Sequence, residues 1–180
     1  MTIKMSERFT VGLIVENRYG VLNRIAGLYG KRGYNIDSLA VGETENPQFS
    51  RMTIVSTGDQ YIRNQVVRQL NKLYDVRLAV LREDSQSISV EHLLIKIKTN
   101  GEGNAPITAL LNEYGGKVMD LGDHFVVADL TGSPEKISEF IQKCMGFGIL
   151  ELCRSGVLAL STGTKNILNI SNEQGGNENG

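Results

Sequence analysis

Histidine and cysteine are the side chains that most readily serve as bases, nucleophiles or metal ligands near neutral pH, and this chain holds two of each. His92 and His124 each stand at the start of an expected strand, with no serine or cysteine in an elbow-like glycine context beside them, and read as ordinary strand-end histidines. Cys144 takes the fourth position of a helical apolar stripe, where a buried thiol is inert, and Cys153 also falls in an apolar-periodic segment. Neither cysteine shows the CxxC or Cys/His spacing of a disulfide framework or a zinc site. Gly115, Gly116 and Lys117 lack the Ser or Thr after the lysine and the glycine five residues earlier that a phosphate loop needs, so they read as a helix stop and a strand start. The run Arg32-Gly33-Tyr34-Asn35-Ile36 is faintly similar to an RNA-binding sheet motif, but it spans a helix end and the start of the second strand, whereas that motif belongs on the third. Asn169, Ile170 and Ser171 match a glycosylation acceptor that has no export signal to go with it. With no nucleophile, metal cluster or phosphate loop, the chain reads as a binding and regulatory protein.

One stretch does offer ligand chemistry. From Asn17 to Leu22 a strand hands over to a helix whose first turn carries no acidic residue. The unpaired amides of a helix start carry partial positive charge, and Gly20 leaves room for a ligand against the backbone, so a carboxylate is the natural guest. The helix-dipole contribution is about 0.3 to 1 kcal/mol, up to roughly 2 when partly buried, whereas millimolar binding requires about 4. Burying a branched aliphatic side chain adds roughly 1.5 to 3 kcal/mol, provided that a second surface closes over it. A pocket between two subunits meets that condition. The plainer reading is that Asn17 and Gly20 only shape a tight turn.

The elements that position this turn form a repeat. Phe9, Val11, Leu13 and Val15 alternate as a strand, and Val21, Ile25, Leu28 and Tyr29 form a helical stripe that Gly33 ends. Strands are expected at 36–41 and 49–55, then a helix capped by Asp59 and carrying Ile62, Val66, Leu70 and Leu73, then a strand at 76–81. A polar linker at 82–89 follows, after which the order restarts with a strand at 92–98 and a helix opened by Pro106. A hairpin of strands 117–121 and 125–130, a helix opened by Ser133 and Pro134, and a last strand at 149–157 complete it. Two βαββαβ units imply an α+β chain of two ferredoxin-like layers, each an antiparallel sheet with both helices on one face. The domains are set at 8–82 and 90–165, with a disordered tail at 166–180, where Asn172 onward holds no hydrophobic residue. Ile14, Ile54 and alternate residues of 36–41 make the other face of the first sheet too apolar for water, so self-association through a sheet face or edge is expected.

The 180 residues carry 19 Lys plus Arg and 20 Asp plus Glu, interspersed, for a formal charge of −1, which argues against a nucleic-acid or anionic-membrane partner. No apolar run approaches the roughly 20 residues that cross a bilayer, residues 1–8 hold no signal core, and a reducing cytoplasm suits the cysteine usage.

Three runs carry a family resemblance: Glu16-Asn17-Arg18-Tyr19-Gly20-Val21-Leu22-Asn23-Arg24-Ile25, Arg32-Gly33-Tyr34-Asn35-Ile36-Asp37-Ser38-Leu39 and Phe49-Ser50-Arg51-Met52-Thr53-Ile54. They resemble the regulatory (small) subunit of acetohydroxyacid synthase, also called acetolactate synthase, and the likeness extends over about 8–165 to Arg154-Ser155-Gly156-Val157. The resemblance implies an N-terminal ACT domain that pairs with its twin through sheet edges, and a C-terminal domain of similar fold. It implies a branched-chain amino acid, usually valine, held by Asn17, Gly20, Val21 and Leu22 of one chain and Asn35 and Ile36 of the other. It further implies a homodimeric subunit without activity or cofactor of its own, which activates a catalytic subunit and confers feedback inhibition on it. Thiamine diphosphate, magnesium and FAD would then belong to that partner. The chain departs from the family pattern at Ser161-Thr162-Gly163-Thr164, where an arginine is expected, and in its polar tail. The rival reading is a free-standing amino-acid sensor acting on a transcription or transport partner; an enzyme in its own right comes third.

Overall fold

The computed structural model describes residues 7–99, 105–164 and 166–167. They form two compact units: residues up to Ile88 together with those from Ala159 onward, and Ser89–Leu158.

In the first unit the order is β1 (Glu7–Glu16), α1 (Val21–Arg32), β2 (Ser38–Glu43), β3 (Phe49–Gly58), α2 (Gln60–Leu70) and β4 (Val76–Arg82). The antiparallel sheet runs β2-β3-β1-β4, which leaves β2 and β4 at its edges. One face of β1 presents Phe9, Val11, Leu13 and Val15 to a core completed by Val21, Ile25 and Tyr29 of α1 and Val66 and Leu70 of α2. The helix spacing follows from the 3.6-residue repeat, which brings Val21, Ile25 and Tyr29 onto one side. Gly33 closes α1 in the left-handed region at φ 67°, its N–H and that of Tyr34 reaching back to Gly30 and Tyr29. Asp59 caps α2 by accepting the Ile62 N–H at 2.9 Å.

Two expectations for this unit need correction. Ile54 does not belong to the second sheet face: it pairs with Val11, shares its side of the pleat and is fully buried under the helices. Val55, one residue on, is the one that points the other way, opposite Thr10. β2 also starts two residues later than expected, because the Asn35 amide bonds to Asp37 at 2.5 Å and Asp37 accepts from the Thr57 hydroxyl at 2.7 Å, so that Ile36 precedes the ladder.

The second face of this sheet, with Ile14, Leu78 and Val80, is met by Ile167 from the end of the chain. Ala159–Leu160 and Ser161 lie on the same face, Ala159 accepting from Arg51 Nη2 at 2.7 Å and Ser161 from Arg82. Residues 159–164 therefore pack with the first unit. Of the tail expected to be disordered, Asn166 and Ile167 are described and Ile167 is buried; the rest, with the Asn169-Ile170-Ser171 match, lies outside the described residues. The expected linker at 82–89 contracts to one 3-10 turn, Asp84–Gln86, since the serine-apolar alternation from Ser87 already has the period of a strand.

The second unit holds most of β5 (Ser87–Lys98), then α3 (Ala105–Tyr114), β6 (Lys117–Gly122), β7 (Phe125–Gly132), α4 (Pro134–Cys144) and β8 (Ile149–Arg154). Its sheet runs β6-β7-β5-β8, the order of the first sheet repeated. Leu93, Ile95 and Ile97 of β5 pack with Ile107 and Leu111 of α3 and with Ile137, Phe140 and Cys144 of α4. The last expected strand, 149–157, ends at Arg154, because Gly156 at φ 77° breaks the extended run, and a further strand that was not expected, β9 (Leu158–Ser161), follows.

Candidate functional site

The turn between β1 and α1 is built by main-chain bonds on both sides. Glu16 N–H donates to Asp75 O at 2.9 Å and Asn17 N–H to Gln48 O at 2.7 Å, tying the turn to the segment before β4 and to the β2–β3 loop. The Asn17 side chain reinforces the second tie, its Nδ2 donating to Pro47 O at 2.9 Å and to Glu43 Oε2 at 3.2 Å. Asp75, only 2% exposed, receives Arg18 Nε at 2.9 Å and further contacts from Arg18 Nη2 and Arg24 Nη1. The hydrogen bonds from Arg18, aided by the charges of both guanidiniums, hold the Asp75 carboxyl below the usual carboxylate range, and Asp75 in turn raises Arg18. Arg18 also lies 5.1 Å from the centroid of the Tyr74 ring.

Within this frame Gly20 sits at the N-cap of α1 in the left-handed region, φ 82° and ψ −7°. It supplies no capping side chain, and the first turn of α1 contains no acid. A Cβ added at Gly20 would meet nothing closer than Arg24 Nη2 at 3.9 Å, so the approach to the helix start is open. Uncapped amides, an open approach and the positive end of the helix dipole together suit a carboxylate. Leu22 is partly exposed beside them and Tyr19 fully so, while Val21 faces the core and can offer a ligand only its backbone.

The structure thus brings Asn17, Gly20, Val21 and Leu22 together, but not Asn35 and Ile36. Those two follow the far end of the 12-residue helix α1, about 18 Å away at 1.5 Å per residue. Asn35 is exposed and Ile36 packs in part against the core of its own unit. The Asp75 clamp escaped the sequence reading: Arg18 and Arg24 have no acid at helical spacing, and their partner is 57 and 51 residues away.

Of the remaining candidates Cys153 is exposed and not part of the core, and the others have structural surroundings. Cys144 is fully buried, and burial pushes its thiol up to about 11. His92 pairs with Asp129 on the face of the second sheet away from its helices, and His124 receives the Thr99 N–H on its carbonyl at 2.9 Å. Arg154 pairs with buried Glu91, and the Ser155 hydroxyl accepts the His92 N–H at 3.0 Å, so Arg154-Ser155-Gly156-Val157 fastens β8 to β5. Among the described residues no group of three or more His, Cys, Asp or Glu could hold a metal ion, and no helix is long and apolar enough to cross a membrane.

The signature of the AHAS small subunit-like ACT domain matches residues 11–78, and that of the small subunit of acetolactate synthase matches 90–163. The chain belongs to the acetolactate synthase small-subunit family. It is 39% identical over 158 residues to a probable acetolactate synthase small subunit of Archaeoglobus fulgidus, covering 88% of this chain and 99% of that one. It is 37% identical to the acetolactate synthase small subunit of Mycolicibacterium smegmatis, covering 88% and 93%. The crystal structure of the small subunit from Thermotoga maritima superposes with a TM-score of 0.82 at 28% identity, over 88% of this chain and 99% of that one. As in the family, the N-terminal unit is an ACT domain, and the turn described above lies inside it.

Proposed function

We propose that the chain is the regulatory subunit through which a branched-chain amino acid, valine, restrains an acetolactate synthase catalytic subunit that this chain also activates. The chemistry of thiamine diphosphate, magnesium and FAD then resides in that partner. The observation that carries the reading is the uncapped start of α1 behind Gly20, an amide-lined anion site beside an exposed aliphatic side chain. Because Asn35 and Ile36 lie at the opposite end of α1, they reach the same ligand only from a second copy of the chain, and β2 at the sheet edge is the surface on which such a copy pairs. The ligand shifts the pair between two states by its differential affinity for them, and the catalytic subunit senses that shift.

Calorimetric titration with valine, leucine and isoleucine, alongside assay of the reconstituted enzyme, tests this. Gly20→Asp places a β-carbon at φ 82° and a carboxylate on the anion site, and Asn17→Ala releases the loop tied to the turn. Both variants are expected to lose valine binding and inhibition while still activating the catalytic subunit. Retained valine sensitivity in both would refute the site, and failure of the wild-type chain to associate with the catalytic subunit would refute the role.

A further inference from the structure

On the face of the first sheet away from α1 and α2, two arginines lie on either side of a glycine. Gly12 pairs with Thr53 and Val80, so Arg51 and Arg82 occupy its diagonal positions on the two neighbouring strands. Gly12 makes room for one of them: a Cβ there would stand 2.9 Å from Arg82 Nε and 3.4 Å from Nη2. Arg82 is only 6% exposed; its Nη1 meets the Ser161 hydroxyl, and its buried Nε finds no acceptor. Arg51 spends Nη2 on the Ala159 carbonyl. Among the described residues neither guanidinium has a carboxylate within ion-pair distance, although every other buried charge in the two units does.

Two desolvated cations without a counter-charge are unfavourable, and burial together with the repulsion from Arg51 depresses the Arg82 guanidinium. Both line a cleft of about 1080 Å³ within the first unit, whose walls are apolar at Ile14, Phe49 and Ile167. The acidic residues on its lining are Glu43, bonded to Asn17, and Glu45. Arg77, also on the lining, is already paired with Glu16 at 2.6 Å.

We propose that Arg82, laid over Gly12, and Arg51 on the other side of that glycine form a binding site for a phosphate group, borne by free phosphate or by a small organic monoester. Two positive charges lining one cleft match a group that concentrates two negative charges, and guanidinium forks suit tetrahedral oxyanions. A dicarboxylate, whose charges are separated by a spacer, matches this arrangement less well. The site is separate from the start of α1 and stands or falls independently of the valine reading.

The test is titration of the full chain with inorganic phosphate at constant ionic strength, with chloride as control and both calorimetry and thermal unfolding as readouts. Phosphate at a hundredfold excess over Kd is expected to raise Tm by about 5 to 10 °C, and chloride to leave it unchanged. Arg82→Gln is expected to weaken phosphate binding about 10- to 100-fold while raising the Tm measured without phosphate, since it removes an unpaired buried charge. Gly12→Ala keeps both charges but displaces the guanidinium, and is expected to weaken binding as well. Tighter binding of glycerol 3-phosphate than of phosphate supports the site with an organic occupant, and the reverse order supports it with free phosphate. No response of the wild type, an equal response in Arg82→Gln, or an equal response to malonate overturns the proposal.

Discussion

Asp75 shows how much one buried carboxylate can organise. It takes Arg18 from the β1–α1 turn and Arg24 from the first turn of α1 on its side chain and the Glu16 N–H on its carbonyl, so the start of α1 is placed by a residue far away in sequence. Its pKa is lowered by Arg18 first, and the stabilisation it gives is complete above the unfolded value near 3.9 and fades as pH falls through the lower folded value. Asp75→Asn is therefore expected to lower stability at neutral pH and to flatten the acid limb below about pH 4, as denaturant melts across pH 2 to 7 would record. The opposite sign, stability rising on acidification in the wild type over that range, would contradict the clamp. Gly20 was legible in the sequence because a glycine before an apolar helical stripe has a limited set of backbone explanations. Asp75 was not, since a lone acid in a polar turn announces no partner.

Among the elements, β2 is the one on which the proposed pairing of two copies rests. It is a six-residue edge strand with unpaired main-chain groups on its outer side, and Val41 on it is 52% exposed. Val41→Glu places like charges across any pairing of two such edges. It is expected to shift the chain from dimer to monomer in analytical ultracentrifugation with little change in unfolding midpoint at low concentration, and to abolish valine binding with it. The helices and most strands followed from periodicity: Asp59 and Ser133 cap where their spacing places them. Strand faces were harder to read. In Arg51-Met52-Thr53-Ile54-Val55 the polar residues mark one side only as far as Thr53, the apolar pair Ile54-Val55 leaves the end of the run ambiguous, and the pairing of Ile54 with Val11 decides it.

At the scale of the whole molecule, the repeated order of elements was evident from the sequence, because a motif occurring twice is self-confirming. The destination of residues 159–164 and of Ile167 was not, since a sequence pattern carries no information about which sheet a short apolar stretch will meet. Ile167→Ala is expected to destabilise the first unit by about 2 kcal/mol, read as a shift in urea midpoint, by opening a gap against Ile14 and Val80. An unchanged midpoint would show that this contact adds nothing to the fold.

That returning segment has a consequence for biosynthesis. The first unit is interrupted in sequence by the second, so while the ribosome is still translating residues 89–158 the earlier sheet has its helices but lacks the strip that meets Ile14 and Val80. Nascent chains therefore display an adhesive surface until Ile167 has been made, and neighbours on one polysome, each carrying the same surface, are the partners most available to meet it.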